Sequence, residues 1–170
     1  DVPAQGRGAV VAIGNFDGVH LGHQAVIAEA GRIARATGAP LAVLTFEPHP
    51  REFFGRTDGP FRLTPFRIKL REIAALGVDI LYLLRFDAKL AALAADDFIH
   101  SLLVGGLGVS HVVVGYDFAF GQARGGNFAL LQQNAEKGGY QVDQVSVAGS
   151  DDGIYSASEA RTLLSAGDVA

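Results

Sequence analysis

The sequence predicts an α/β domain with a Rossmann-like, doubly wound parallel sheet of about five strands and helices on both faces. The first supporting observation is that apolar, β-branched runs alternate with segments of helical periodicity along the chain. The second is that these runs are almost continuously apolar, as in Val112–Val114, which is typical of strands covered on both faces. Right-handed crossovers between such strands give a doubly wound sheet.

The predicted strands and helices alternate in chain order. Apolar runs predict strands at Ala9–Ile13, Leu41–Phe46, Val78–Phe86, His111–Gly115 and Tyr140–Val147. Segments whose apolar residues recur at helical spacing predict helices at about His23–Ala36, Pro65–Leu76, Asp96–Leu107, Asn127–Lys137 and Ser158–Ser165. Glycines stand where these helices should end, at Gly38, Gly77, Gly108 and Gly138–Gly139.

The connection from Glu47 to Thr64 is longer than most strand-to-helix loops and has no predicted secondary structure. A loop of this length is either a binding loop or an inert insertion, and the sequence leaves both interpretations open. The loop carries several aromatic and prolyl side chains, whose flat faces suit the stacking of a planar ligand.

Composition limits the classes of function. A formal net charge of −4 with only three lysines predicts no broad basic surface, and therefore no nucleic-acid partner. No apolar run reaches the ~18 residues that a membrane-spanning helix needs, so no membrane partner is predicted. The chain has no cysteine, which indicates a cytoplasmic location, and no methionine, which indicates a fragment of a longer protein. We expect a small-molecule ligand.

Two histidines, His20 and His23, lie where the first predicted strand gives way to the first predicted helix. Side chains three residues apart project from one face of a helix. The start of a helix offers unpaired N–H groups and a positive dipole end, so the pair predicts a phosphate site and nucleotide chemistry. Gly14 and Gly18 permit a sharp turn before the helix, and Gly22 lets a ligand approach the backbone.

Two other roles for the histidine pair stay open, namely hydrogen bonding at the helix start and half of a zinc site. Zinc is disfavoured because the chain has no cysteine and its other histidines, His49, His100 and His111, show no ligand spacing.

The segment Gly14–His23, Gly-Asn-Phe-Asp-Gly-Val-His-Leu-Gly-His, resembles the HxGH signature of the nucleotidylyltransferase superfamily. Its form is similar to that of bacterial bifunctional FAD synthetase, which joins a riboflavin kinase to an FMN adenylyltransferase. Three further blocks fit this family in the same order: Thr45–Pro50, Val114–Gly121 continued by Arg124, and a serine-rich segment that ends at Arg161. The resemblance covers essentially the whole chain.

The resemblance implies an FMN adenylyltransferase, a nucleotidyltransferase that moves AMP from ATP to FMN by direct in-line attack and releases pyrophosphate with FAD. It implies Mg²⁺ as cofactor, held mainly by phosphates and not by direct protein ligands. It also implies that residues 1–170 form the adenylyltransferase domain. The family's C-terminal riboflavin kinase module is expected in the parent chain and is absent here.

The resemblance assigns roles to residues that match the family motifs. It implies catalytic roles for His20, His23, Ser158 and Arg161. It implies ATP binding by Gly14, Asn15, Phe16, Asp17, Gly22, Asp117, Arg124 and Ser156. It implies FMN binding by Phe46, Pro48, His49, Pro50, Phe54 and Phe120.

The serine-rich segment departs from the family pattern, which is close to Ser-Ser-Thr-x-x-Arg. Ala157 follows Ser156, and Ser158 stands where the family has threonine. Ser156 and Glu159 also match a helix capping box, which would explain them without a ligand. Two other functions therefore stay open: a non-catalytic flavin or nucleotide-binding module, and a nucleotidylyltransferase with a different acceptor.

Overall fold

The sheet at the centre of the molecule has five parallel strands in the order β3-β2-β1-β4-β5. The computed structural model describes residues 4–55, 65–146, 149–150 and 153–154. The strands are β1 (Val10–Ile13), β2 (Leu41–Glu47), β3 (Ile80–Arg85), β4 (His111–Gly115) and β5 (Gln141–Val145). A separate antiparallel pair, β6 (Gly149–Ser150) and β7 (Gly153–Ile154), follows. The predicted fold class is confirmed.

Helices and turns connect these strands. The α-helices are α1 (Leu21–Thr37), α2 (Pro50–Phe53), α3 (Phe66–Ala75), α4 (Ala88–Ala91), α5 (Ala95–Asp97) and α6 (Phe128–Gly138). A π-helix, Phe98–Leu107, continues α5, and short 3₁₀ helices lie at Ala4–Gly6 and Gln122–Arg124. No helix in the described part of the chain is long and apolar enough to cross a membrane.

The structure adds α4 and the β6–β7 pair, which were not predicted, and it differs from the predicted elements in two further places. The predicted helix at Asp96–Leu107 is mostly π-helical, from Phe98 to Leu107, which the sequence period did not distinguish from an α-helix. The predicted loop from Glu47 contains helix α2, whose first residue is Pro50. Proline suits the first position of a helix because its fixed φ is already helical. The predicted helix at Ser158–Ser165 lies outside the described residues.

Strand β1 lies at the centre of the core. It pairs with β2 on one edge and β4 on the other, so that Val10 is in register with both Leu41 and His111. Helices cover both faces. One apolar cluster joins Val10 and Ala12 to α1 and α3, and a second joins Val11 and Ile13 to the π-helix and α6. Successive residues of a strand point to opposite faces, which explains the division.

Tyr140 fastens α6 to the start of β5. Its hydroxyl is buried and donates a hydrogen bond of 2.6 Å to the carbonyl oxygen of Leu131. Burial disfavours the phenolate and raises the pKa of Tyr140 from 10.0 to about 12.

We predict that Tyr140→Phe lowers the free energy of unfolding by about 0.5–1.5 kcal/mol at pH 8, the net contribution of one hydrogen bond. The deficit should shrink by pH 11. Between pH 10.0 and about 12 the unfolded tyrosine loses its proton while the folded one keeps it. The unfolded state then binds fewer protons than the folded state, so the contribution of Tyr140 to the free energy of unfolding falls as pH rises. The phenylalanine variant has no such contribution to lose. Urea denaturation of both proteins at the two pH values measures the difference. An equal deficit at both values would contradict the prediction.

Candidate active site

A cavity of about 1140 Å³ opens beyond the carboxyl ends of the parallel strands. Its lining includes Ile13, Gly115 and Val145, the last residues of β1, β4 and β5, together with Phe46 near the end of β2. The chain order of the strands reverses beside β1, and ligands of open α/β sheets bind in the crevice at that point. This volume exceeds the about 300–1,000 Å³ of most ligand pockets.

The first wall of the cavity is the turn from β1 to α1. Phe16 and Val19 adopt left-handed backbone conformations with φ of 50° and 37°. The Phe16 ring is buried against Gly14, where an added Cβ would lie 3.1 Å from the ring. Thr45 donates a hydrogen bond of 3.0 Å from its hydroxyl to the Asn15 carbonyl, which ties the turn to β2. Strained residues of this kind cluster at functional sites.

His20 is the N-cap of α1. Its ring nitrogen Nδ1 accepts hydrogen bonds from the backbone N–H groups of Gly22, at 3.0 Å, and His23, at 3.4 Å. The rings of His20 and His23 stack with centroids 3.7 Å apart, and the edge of Phe16 contacts His23. The Nδ1 atom of His20 therefore forms hydrogen bonds at the start of α1, which is one of the roles that the sequence left open. Two of the amides predicted to be unpaired already have a partner.

The second wall follows β4. Asp117 and Arg124 both line the cavity and are exposed to solvent. An isolated antiparallel bridge between Phe120 and Gly126 closes the loop that carries Arg124. Within it, Ala123 and Arg124 have φ of 54° and 55°, again left-handed. The loop docks on the segment before α5, where the Gln122 N–H donates to the Leu93 carbonyl at 2.7 Å.

Three aromatic rings lie on the side of the cavity formed by β2 and β3. Phe53, Phe54 and Phe86 contact one another edge to face, with centroids 5.1 to 5.9 Å apart. Phe54 keeps 51% of its surface exposed, although it is a large apolar side chain. His49 is the N-cap of α2, and its Nδ1 accepts a hydrogen bond of 3.1 Å from the Arg51 N–H. This aromatic cluster (Phe53, Phe54 and Phe86) offers faces for a planar ligand.

The structure brings most of the predicted site residues to this cavity. They are Gly14, Asn15, Phe16, Asp17, His20, Gly22, His23, Phe46, His49, Pro50, Phe54, Asp117 and Arg124. Pro48 and Phe120 do not line it. The Phe120 ring is buried between Phe118 and Phe98, at 5.5 and 5.0 Å, and Phe118 lines the cavity in its place. Ser156, Ser158 and Arg161 lie outside the described residues.

The sequence analysis did not assign several residues that line the cavity. Phe86 and Tyr116 directly follow the last residues of β3 and β4. The rule that ligands bind beyond the carboxyl ends of strands would have identified both from their position. Phe53 precedes Phe54 on α2, and Gln122 lies in the loop after β4. Their exposure depends on helix α2 and on the closure of the loop, neither of which was predicted from the sequence.

The cavity wall carries side-chain oxygen atoms that suit Mg²⁺, although the described residues do not form a complete set of metal ligands. No cluster of three or more potential metal-binding side chains occurs among the described residues. The side-chain oxygen Oδ1 of Asn15 is buried and has no hydrogen-bond partner there, and the buried Asp17 lies on the same wall. Amide and carboxylate oxygens are ligands that Mg²⁺ prefers, and it usually takes only one or two from protein, with phosphates and water supplying the rest.

Comparison with known proteins assigns this fold and cavity to a family. The family model for FAD synthetase matches residues 2–159. The chain belongs to the FAD synthetase family. Its motifs after β1, β2 and β4 are the ones that converge on the cavity.

Three curated relatives of this FAD synthetase family chain are named bifunctional riboflavin kinase/FMN adenylyltransferase. The Escherichia coli K12 protein is 45% identical over 136 residues, which are 80% of this chain and 44% of the relative. The Pseudomonas fluorescens protein is 41% identical over 162 residues, 95% of this chain and 52% of the relative. The Bacillus subtilis protein is 40% identical over 162 residues, which are 95% of this chain and 51% of the relative. The chain spans about half the length of these relatives.

A solved structure from Streptococcus pneumoniae shares the fold with a TM-score of 0.82 and 26% sequence identity. The similarity covers 96% of this chain and 53% of that one. Its title describes that protein as a macrolide-efflux protein. This similarity supports the arrangement of the sheet and helices described above for this chain.

We predict that Gly121→Ala displaces the loop after β4 and weakens nucleotide binding. Gly121 has a φ of 77°, and an added Cβ would lie 2.7 Å from the Cα atom of Ala95. Backbone cannot yield as a flexible side chain does, so the loop must move. Gly125→Ala is the control, because its Cβ would meet one carbonyl oxygen at 3.3 Å and its φ is −70°. Titration calorimetry with ATP should show weaker binding in the first variant alone; unchanged affinity in both would show that the loop does not shape the nucleotide site.

Proposed function

We propose that this chain is an FMN adenylyltransferase that transfers AMP from ATP to FMN and gives FAD and pyrophosphate. The observation that carries the proposal is that one cavity joins the stacked His20 and His23 rings to the exposed aromatic cluster, in a chain of the FAD synthetase family. The first feature suits a polyphosphate and the second a planar ring. The names of the relatives support this pairing of substrates.

Adenylyl transfer requires little covalent chemistry from the protein. A phosphate oxygen of FMN attacks the α-phosphorus of ATP, the bond to the bridging oxygen of pyrophosphate breaks, and no enzyme intermediate forms. Catalysis then depends on positioning and on stabilising the charge that spreads over the phosphate oxygens. Imidazole N–H groups of His20 and His23 at the positive end of the α1 dipole supply such stabilisation. Asp117 and Arg124 hold the adenylyl-donor side.

Mg²⁺ is part of the proposal. When bound, it neutralises phosphate charge and orients the phosphate chain. Asn15 Oδ1 and Asp17 would hold it from the protein side, directly or through water. Ser156, Ser158 and Arg161 are proposed to grip the β- and γ-phosphates, as the family pattern implies.

The flavin end of the site is proposed to lie at the aromatic cluster. The isoalloxazine ring is flat and largely apolar, so it gains from an aromatic face that is otherwise exposed to water. Phe54 provides the most exposed face of the cluster. His49 and Pro50 lie next to it on the cavity wall, where α2 begins.

The surroundings of the domain are also proposals. We infer that residues 1–170 act as the adenylyltransferase domain beside a riboflavin kinase module, because the matched relatives are named as bifunctional and are about twice as long. A cytoplasmic setting, which suits a chain without cysteine, belongs to the same proposal.

We predict that the chain forms FAD from ATP, Mg²⁺ and FMN, and that His23→Ala lowers kcat by ~10²–10³-fold while changing FMN affinity little. A donor that meets charge developing in the transition state acts on kcat. His100→Ala is the control, because His100 bonds to Asn134 and does not line the cavity. Chromatography of FAD measures the rates. Binding of both substrates without FAD formation would indicate a non-catalytic module, and turnover with another acceptor in place of FMN would redefine the substrate.

We predict that Phe54→Ala raises KM for FMN by about three- to tenfold with little change in kcat, since one aromatic contact contributes about 0.5–1.5 kcal/mol. Leu83→Ala is the matched control, because Leu83 is also a large exposed apolar residue, at 43% against 51% for Phe54, and does not line the cavity. Steady-state kinetics at saturating ATP separate the two constants. Equal KM values in the two variants would place the flavin elsewhere.

A further inference from the structure

The turn between β1 and α1, residues 14–19, contains two strained backbone positions. Phe16 and Val19 have φ of 50° and 37°, in the left-handed region that residues other than glycine rarely adopt. Asn15, Phe16 and Asp17 line the cavity, so the shape of the turn is the shape of that wall. A conformation that is unfavourable by itself persists only where neighbouring groups hold it. The groups that hold this turn therefore control the site.

One hydrogen bond from the sheet holds the first end of the turn. Thr45 of β2 is fully buried, and its hydroxyl donates to the Asn15 carbonyl oxygen at 3.0 Å. Side chains alternate along a strand, so Thr45 lies on the same face as Val43, the face that α1 covers. Valine has the same branched shape and would suit an apolar position of this kind. The hydroxyl is the one polar group of the Thr45 side chain, and it is bonded to the turn.

A second side chain holds the other end of the turn. Gln24 lies near the start of α1, and its Nε2 atom donates to the Val19 carbonyl oxygen at 3.1 Å. Within the turn, the Val19 N–H donates to the Phe16 carbonyl oxygen at 3.3 Å. The strained segment is thus fastened at one end by a donor from the sheet and at the other end by a donor from the helix.

These two bonds fix the peptide planes beside the strained residues. The Asn15 carbonyl and the Phe16 N–H belong to one rigid plane, so the carbonyl cannot turn without changing the φ of Phe16. A turn of that plane would take Phe16 out of the left-handed region, which relieves strain. It would also leave the Thr45 hydroxyl buried without its partner, which is unfavourable. The Gln24 bond fixes the plane that follows Val19 in the same way.

We propose that Thr45 and Gln24 are positioning residues that hold the turn after β1 in its strained conformation, and that this conformation is the one that binds the nucleotide. Neither side chain lines the cavity, so both act through the turn. The inference rests on the proposed function for the identity of the nucleotide, and not for the conformation of the turn.

A positioning role of this kind has its own kinetic signature. When either bond is lost, a fraction of the molecules adopts the relaxed turn, and ATP binds only the remaining fraction. The apparent dissociation constant then rises by the inverse of the competent fraction, whereas saturating ATP selects the strained form. Loss of either bond therefore raises KM for ATP and leaves kcat nearly unchanged. Loss of a group that stabilises the transition state would instead lower kcat.

Variants of matched shape test the Thr45 hydroxyl. Thr45→Val should raise KM and the calorimetric Kd for ATP by about two- to tenfold, the effect of one lost hydrogen bond. Its kcat should stay within about twofold of the wild-type value. Thr45→Ser keeps the hydroxyl and should bind ATP as the wild type does. Thr37→Val is the control, because the Thr37 hydroxyl donates to the Ile33 carbonyl at 2.9 Å at the other end of α1. Wild-type KM in Thr45→Val, or a loss confined to kcat, overturns the role of Thr45.

The exposed position of Gln24 provides a second variant that leaves the core intact. Gln24→Met keeps the length of the side chain and removes the donor, so it should raise KM for ATP in the same direction as Thr45→Val. Gln132→Met, at an exposed position of α6, is the control. An unchanged KM in Gln24→Met overturns the role of Gln24.

The conformation of the turn can be measured without any substrate. In ¹H–¹⁵N correlation spectra of the 170-residue chain, the amides of Phe16 and Val19 should each give one sharp signal in the wild type and in Thr45→Ser. In Thr45→Val they should give two signals or an exchange-broadened one. One sharp signal for each amide in Thr45→Val overturns the inference.

The inference and the proposed function fail in distinguishable ways. If the wild-type chain forms no FAD while the spectra and the ATP titrations follow the expected pattern, the proposed function fails and the positioning role remains. If FAD forms while Thr45→Val has the spectrum and the ATP affinity of the wild type, the proposed function stands and the positioning role fails.

Discussion

The site depends on the burial of β1 and on the tight turn that follows it. All residues of β1 are at most 1% exposed, and the strand has paired neighbours on both edges. It therefore cannot shift along its axis without breaking two ladders and two apolar clusters. The turn fixes the start of α1 relative to the end of β1. The position of the histidine pair is therefore set by a strand that is buried and paired on both edges.

Backbone strain is concentrated in the two loops that follow the neighbouring strands β1 and β4 and line the cavity. Among the described residues, the non-glycine positions with positive φ are Phe16, Val19, Ala123 and Arg124. The first two follow β1 and the last two follow β4, the neighbouring strand. Each such residue costs on the order of 1–3 kcal/mol, and it persists only where the surrounding structure over-determines it. The buried Phe16 ring and the bridge from Phe120 to Gly126 provide that constraint. The core stabilises two rigid walls that would not keep their shape alone.

The sheet could be predicted from sequence because buried parallel strands are marked by uninterrupted apolar runs, such as Val112–Val114 in β4. Because the motifs follow the carboxyl ends of parallel strands, their convergence at one edge of the sheet could be predicted as well. Side-chain direction could not be predicted in the same way. Phe118 and Phe120 stack on each other with ring centroids 5.5 Å apart, and Phe120 is the more buried of the two because it packs against Gly126 at the bridge that closes the loop. The hydrogen bonds of His20 likewise depend on its extended backbone at the helix start, which spacing does not encode.

The charged side chains along the described wall of the cavity balance one another in sign. None of the three lysines lines the described wall, which carries Arg51 and Arg124 against Asp17 and Asp117. These two arginines and two aspartates together have no net formal charge. In the proposed function, a nucleoside triphosphate meets no strong positive field from these side chains, so its binding would depend on directed hydrogen bonds and on a cation that arrives with the phosphates. Directed donors favour one geometry of the phosphate chain, whereas a diffuse positive surface would favour many. The proposed in-line transfer needs that single geometry, which connects the low lysine content to the His20 ring that is held as the N-cap of α1.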